Sequence, residues 1–372
     1  MRGTFNTLLL CLLALPGSAA SAADGGGKGP ELMYLATWPH QIVVVDADKE
    51  KIVDRINVDT DVVRQLVLSP DRKTLYAATM AHDGIATIDL ATRKVTDSFD
   101  LDSGNNKARL SGFVIDPTGK YLYSIETIIS KGLDHFDIST PKFVVIDLKA
   151  KAITRSVDLP KGVDAPGFRG AMKVSPDGKY LYLFRDDILV FDTSTFKLVK
   201  TIGLQQSPDP DVQDLALNLV DDPNEAPGKV IGLFRASDPY IHQEDFGIAE
   251  VNLSDLTFNL TPIGPVTTTL ISPMMLTPDR KLGYTAVVNG TNGNRITEFW
   301  VFDMQTKKLV EKKEFTGRTR FNFGMTADGK KLLIYNAGFQ IEVYDAKTMQ
   351  MTNDIDLGGD TTSNLLVMPQ GN

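Results

Sequence analysis

The end of this chain, Asn364-Leu365-Leu366-Val367-Met368-Pro369-Gln370-Gly371, reads as the opening strand that its first repeat lacks. A chain written in that order folds into a closed ring. The repeat is an apolar strand, a turn of the type Ser-Pro-Asp-Gly-Lys, a second strand carrying Leu-Tyr, a loop, and a third strand ending in Val-x-Asp-Leu before a polar turn. Self-similarity of this length marks a propeller or a solenoid. The turns stand at Ser69-Pro70-Asp71-Arg72-Lys73, Asp116-Pro117-Thr118-Gly119-Lys120, Ser175-Pro176-Asp177-Gly178-Lys179, Thr277-Pro278-Asp279-Arg280-Lys281 and Thr326-Ala327-Asp328-Gly329-Lys330, with a degenerate copy from Asp222-Pro223 to Gly228-Lys229. Proline presets φ, aspartate bonds the backbone two residues on and glycine supplies positive φ, so each copy predicts a hairpin by mechanism.

The third strands are expected to end at Asp46, Asp89, Asp147, Asp192, Asn252, Asp303 and Asp345, each after an apolar run such as Phe143-Val144-Val145-Ile146. That makes seven blades. The first starts at Met33-Tyr34-Leu35-Ala36, where the others have their second strand. The expectation is an all-β, seven-bladed β-propeller of four-stranded blades, its ring closed by the C-terminal strand pairing with the first blade. Closure leaves no open edge to aggregate.

Seven blades of about 45 residues account for nearly all 372 residues. Residues 1–22 read as a secretory signal, with Arg2, an apolar core from Leu8 to Leu15 and a small-residue cleavage site at Ala20-Ser21-Ala22. Residues 23–30, rich in glycine, read as a flexible leader, and residues 31–372 as the propeller. The apolar core of the signal is too short for a membrane span, and polar turns interrupt every later apolar run. Cys11, the only cysteine, lies inside the signal. The mature chain then has none for a disulfide, a thiolate metal site, covalent haem or a cysteine-derived quinone, which suits an exported, periplasmic propeller without staples. The net charge of −8 becomes −9 without Arg2. No basic stripe interrupts that acidic background, so nucleic acid is a poor partner.

Topology sorts the loops. The Ser-Pro-Asp-Gly turns and the turns after Val-x-Asp-Leu share one face and are short. The loops between second and third strands share the other face with the blade-to-blade connections. There lie the long segments 125–141, 235–246 and 287–296, with connections 102–109 and 161–169. Variable loops on a rigid scaffold are where binding is expected. All four histidines fall on that face: His40, His82, His135 and His242. Asp134 and Asp137 flank His135, and Glu244-Asp245 follow His242. Histidine suits metal or acid/base work, yet no His-Glu-x-x-His or Cys-x-x-Cys spacing supports a metal, and acidic neighbours in surface loops serve solvation. No catalytic residue and no metal ligand is assigned. Trp38, His40, His82, Asp134, His135 and His242 are the candidate partner or ligand face. Trp38 and Trp300 read as packing residues rather than cofactors, with a partner anchor as the alternative for Trp38 because it lies in a loop.

Asp134-His135-Phe136-Asp137-Ile138-Ser139-Thr140-Pro141-Lys142 resembles the equivalent insertion in the β subunit of quinohemoprotein amine dehydrogenase, and Val343-Tyr344-Asp345-Ala346-Lys347-Thr348-Met349 with Leu357-Gly358-Gly359-Asp360 resembles that subunit's last blade. The resemblance implies a non-catalytic, periplasmic propeller without a cofactor of its own. In that family it walls a site whose cysteine tryptophylquinone and haem c belong to partner subunits that oxidise primary amines. No substrate-contacting residue carries over. Two other classes remain: a lactonase-like hydrolase working at the channel mouth, and a stand-alone exported propeller of the Tyr-Val-Thr-Asn repeat group. Fold alone does not choose among them.

Overall fold

The computed structural model describes residues 30–368, apart from residues 60, 81, 162, 164–170, 186, 205–212, 221, 239, 241–242, 256 and 336–337. The expected signal, the leader except Pro30, and residues 369–371 of the expected closing segment lie outside the described residues. Seven antiparallel sheets follow one another, and the chain is an all-β, seven-bladed β-propeller. All seven third strands end at the residues read from the sequence, from Asp46 to Asp345.

The first blade is built from Leu32–Thr37, Gln41–Asp46 and Lys51–Asn57, and its innermost strand is Leu366–Val367 from the C-terminal segment. Met33 pairs with Val367 and Tyr34 with Leu366. The short ladder is reinforced on both sides: Ala36 N donates to Ser363 Oγ at 3.0 Å, Thr362 N to the Ala36 carbonyl at 2.9 Å and Met368 N to the Leu32 carbonyl at 2.9 Å. Glu31, buried at the same seam, accepts the backbone N–H groups of Ala327 and Asp328 across to the seventh blade.

Why the middle strands read as unbroken apolar runs follows from the packing. Each blade is covered on both sides, so Gln41–Asp46 and Thr74–Thr79 are buried along nearly their whole length. Outermost strands such as Lys51–Asn57 and Ala152–Asp158 alternate with solvent. The core is accordingly seven apolar clusters, each between two adjacent blades. Between blades 6 and 7 it is aromatic: Phe299 stacks on Phe315 at 4.1 Å, and Tyr344 meets both edge-on. Trp300 is buried between blades 5 and 6, a packing residue as its sequence context predicts.

Both short-turn motifs hold hairpins and also join blades. In the Ser-Pro-Asp-Gly turn, Ser69 Oγ donates to Asp71 and accepts the Thr74 N–H, while Gly119, Gly178, Gly228 and Gly329 take φ near +70°. Each of these glycines lies against the turn proline of the preceding blade: Gly119 on Pro70, Gly178 on Pro117, Gly228 on Pro176 and Gly329 on Pro278. After the third strands, Asp89, Asp303 and Asp345 accept the N–H and the hydroxyl of the threonine three residues on. The next residue takes positive φ. Two residues at this position also reach back one blade: Lys307 to Glu250 at 2.7 Å and, in the turn after Asp147, Lys151 to Asp97 at 2.7 Å. The repeated aspartate is hairpin chemistry.

Several segments expected as loops are strand. The second strand of blade 3 runs over Tyr121–Lys131, and blade 5 pairs Lys229–Ser237 with Glu244–Asn252. The run Ile125-Glu126-Thr127-Ile128-Ile129 is β-branched at four of five positions, which favours continuing the pleat over turning.

Gly329→Ala should cost about 3 kcal/mol, because a Cβ there would sit 2.7 Å from Pro278 Cδ at a φ of +71°. Gly104→Ala, with the same sign of φ and open space around it, should cost about 1 kcal/mol. Urea unfolding of the two variants measures the difference, and equal losses would show that the glycine–proline contact contributes nothing.

Candidate docking face

The antiparallel order of every blade places the second-to-third-strand loops and the blade-to-blade connections together on one face. Exposed large apolar side chains among the described residues are distributed unevenly. Trp38, Met80, Leu133, Phe136, Ile138, Tyr240, Ile296 and Phe339 stand on this face, drawn from six of the seven blades. Leu270 is on an inner strand, and Val53, Val95, Leu198, Val199, Val310 and Met351 are on outermost strands. The short-turn face carries none of them. An apolar residue in water is unremarkable alone, whereas eight of the fifteen gathered on one end of the ring and none on the other are a property of an interaction surface.

Trp38 is 60% exposed, and its backbone is held: its N–H donates to the Asp360 carbonyl at 2.7 Å. A Cβ on Gly359 would lie 2.6 Å from the Trp38 carbonyl oxygen, so only glycine allows that approach. His40, in the same turn, is exposed and accepts the Val58 N–H through its carbonyl. His82 Nδ1 stands 3.3 Å from Asp102 Oδ2, which Lys107 also grips. Burial raises the Asp102 carboxyl, but hydrogen bonds from Lys107, the Ala108 N–H and His82 outweigh it and hold the group below the usual carboxylate range.

His135 lies between two carboxylates, with Nδ1 2.7 Å from Asp134 and Nε2 3.3 Å from Asp137. The two ring nitrogens point in opposite directions, so these groups do not converge on one ion, and among the described residues no group of three His, Cys, Asp or Glu is arranged to hold a metal. His242 lies outside the described residues, while Glu244 and Asp245 open the third strand of blade 5. No hydrogen bond or ion pair joins His40, His82 and His135 to one another. The shared face does not make them one site.

Two buried charge clusters were not read from the sequence. At the long-loop end, Asp83 receives Arg64 Nη2 at 3.0 Å, while Arg109 Nη1 stands 3.0 Å from its other oxygen as an ion pair without hydrogen-bond alignment. Arg64 also donates to the Thr79 and Leu110 carbonyls, tying blade 2 to blade 3. Burial lifts the Asp83 carboxyl, and the two guanidiniums only partly offset it; burial likewise lowers the Arg64 guanidinium. Near the short-turn end, Asp222 accepts the Asn224 and Leu276 N–H groups, and Glu225 accepts the Ile231 N–H at 2.8 Å. Burial pushes Glu225 up to about 7, against the pull of that N–H and of Lys173, and lowers Lys173. A charged residue inside an innermost apolar strand, Arg64 after Val62-Val63 or Lys173 after Ala171-Met172, is the signal that would have found both clusters.

Asp83→Asn should cost about 3 kcal/mol, because it leaves the buried Arg64 without its counter-charge. Asp97→Asn, which breaks the solvent-exposed pair with Lys151, should cost less than about 1 kcal/mol. Urea midpoints of the two variants test this. The raised carboxyl of Glu225 sets a pH slope. The folded chain holds a proton there that the unfolded chain releases above its ordinary 4.5. That contribution is therefore full below 4.5 and is lost as pH rises through about 7. Unfolding midpoints of Glu225→Gln should lose this part of the decline across the same window, and an unchanged slope would refute the assignment.

No protein-family model matches the sequence, and no curated protein matches it. Solved structures match in fold. A protein of unknown function from Desulfotomaculum acetoxidans DSM 771 superposes with a TM-score of 0.57 at 12% identity, covering 92% of this chain and 99% of that one. Hydrazine synthase of Kuenenia stuttgartiensis does so with a TM-score of 0.51 at 14% identity, covering 82% and 95%. The dihydro-heme d1 dehydrogenase NirN, in complex with DHE, gives 0.54 at 14% identity, covering 91% and 75%. At these identities the likeness is one of fold, and by that measure the chain is a seven-bladed β-propeller.

Proposed function

We propose that this chain is a non-catalytic propeller subunit that docks partner proteins through its long-loop face. The observation that carries the reading is the uneven spread of exposed large apolar side chains: among the described residues eight of fifteen stand on that face and none on the short-turn face. A rigid ring fixes the positions of loops from different blades, and side chains such as Trp38, Phe136 and Tyr240 offer large contact area at low entropic cost. The resemblance of the segment 134–142 and of the last blade to the β subunit of quinohemoprotein amine dehydrogenase gives the partner class. In that reading the chain is periplasmic, the partners bring haem c and cysteine tryptophylquinone, and the propeller walls the site at which a primary amine is oxidised.

The test is purification of the full chain from the organism that makes it, under mild conditions, followed by a haem absorbance scan and an amine-dependent dye-reduction assay. Co-purifying haem and quinone subunits with amine turnover are expected, and a Trp38→Asp, Tyr240→Asp variant should lose them. A lone, colourless, inactive chain would overturn the proposal.

A further inference from the structure

One part of the long-loop face is built as a sheet. The second strand of blade 3, Tyr121–Lys131, extends beyond the blade as the centre of a three-stranded arm. On one side Asn106 pairs with Ser130 and Lys107 with Ile129. On the other, the short strand Phe136–Ile138 pairs Phe136 with Lys131, Asp137 with Ser130 and Ile138 with Ile129. Among the described residues no strand pairs with the far edge of Phe136–Ile138.

The flanking hydrogen bonds determine what that edge offers. Ser139 N donates to the Ile128 carbonyl at 2.9 Å, and the His135 carbonyl accepts the Gly132 N–H at 2.9 Å. In an antiparallel ladder the N–H and C=O of one residue point the same way and alternate along the strand. Residues 135, 137 and 139 therefore face inward, and Phe136 and Ile138 direct their N–H and C=O groups outward. Their side chains share one side of the arm, where Phe136 is 65% and Ile138 69% exposed, and Leu133 at the tip is fully exposed. Proteins usually blunt such an edge with charge or a cover. Here Asp134 and Asp137 supply charge, and the apolar pair stays in water.

Charge restricts the occupant. A second copy pairing antiparallel about Asp137 would place two Asp137 carboxylates opposite each other, which destabilises a ladder. The same side of the ring is acidic: among the described residues, the long-loop connections of blades 1 to 3, with the strand Phe136–Ile138, carry Asp59, Asp61, Asp83, Asp100, Asp102, Asp134 and Asp137 against the single lysine Lys161, whereas the connections of blades 6 and 7 carry Arg295, Arg318 and Arg320 against the single acid Asp360. From the neighbouring strands, Lys107 pairs with Asp102, and Arg64 and Arg109 pair with Asp83.

We propose that the blade-3 arm binds an extended, basic and apolar segment of a partner protein as an added β-strand along the open edge of Phe136–Ile138. The inference rests on the long-loop face being the docking face and names the element and the chemistry by which it docks. Main-chain hydrogen bonds to Phe136 and Ile138 provide the pairing, and Asp134 and Asp137 select basic side chains.

The probe is a capped synthetic peptide of alternating lysine and valine, with a glutamate–valine peptide as control, titrated onto the full chain by fluorescence anisotropy. A Phe136→Pro, Ile138→Pro variant removes the two outward N–H groups and leaves the inward ladder intact, since proline is tolerated on an edge whose N–H faces solvent. A Phe136→Ala, Ile138→Ala variant removes the same side chains and keeps the N–H groups. Thermal unfolding confirms that both fold. The basic peptide should bind the unaltered chain at least tenfold more tightly than the acidic one, and the proline pair should lose about tenfold beyond the alanine pair. Charge reversal by Asp134→Lys, Asp137→Lys should abolish the discrimination between peptides. Equal binding by the proline and alanine pairs, no preference for the basic peptide, or no binding would each overturn the proposal. So would a dimer of the unaltered chain in sedimentation that the proline pair abolishes. Co-purification with the proline pair separates the two readings: a partner complex that survives overturns the strand-docking arm and leaves the docking face standing.

Discussion

The pairing of Leu366–Val367 with Met33 and Tyr34 is the contact on which the rest of the molecule depends. No blade encloses a core of its own. Each of the seven apolar clusters lies between two blades, and the one uniting blades 7 and 1 includes Met33, Leu35, Leu333, Val343 and Val367. Without closure the middle strands of the terminal blades, buried on both sides in the ring, would face water. Two ladder pairs are little by themselves, but Ser363, Thr362, Met368 and Glu31 add hydrogen bonds on either side of the seam.

The two faces of the ring are under different constraints. On the short-turn face the same residues shape a hairpin and touch the neighbouring blade, as in the ladder of Gly119 on Pro70 and Gly178 on Pro117. Changing one alters two contacts, so turn sequence and turn length repeat. Connections on the opposite face share no such repeated turn, although Asp83 there also pairs with Arg109 of the next blade. They can lengthen into an arm, as in blade 3, or carry Trp38 in a three-residue turn, without disturbing the clusters beneath.

Charge is buried where the inner strands approach one another. Asp83 is ion-paired with Arg64 and Arg109, and the two guanidiniums donate to three backbone carbonyls across blades 2 and 3. Asp222 ties its own turn to the Leu276 N–H of blade 6. Such groups link blades through directional bonds, in addition to the apolar clusters that lie between them.

How much was legible in the sequence follows from range. Turn chemistry is local: Asp89, Asp303 and Asp345 bond residues three positions away, and Gly119 or Gly178 supplies its φ without regard to the rest of the chain. The blade count, the third-strand ends and the closing strand were therefore readable. The candidate site was readable only in part. His40, His82 and His135 share a face, as the topology required, but the structure ties each to its own local partners and brings none of them together. Nothing in the sequence around Asp83 marks it as paired, and only the fold places Arg64 and Arg109 beside it.

By itself the sequence determined a ring of seven blades, because periodic burial and self-contained turns are properties of short segments. Only the tertiary structure decided which charges are paired, which apolar side chains stay in water and that residues 125–131 continue as strand into an arm with an open edge. Those depend on which strands become neighbours, and that is settled only when the blades pack against one another.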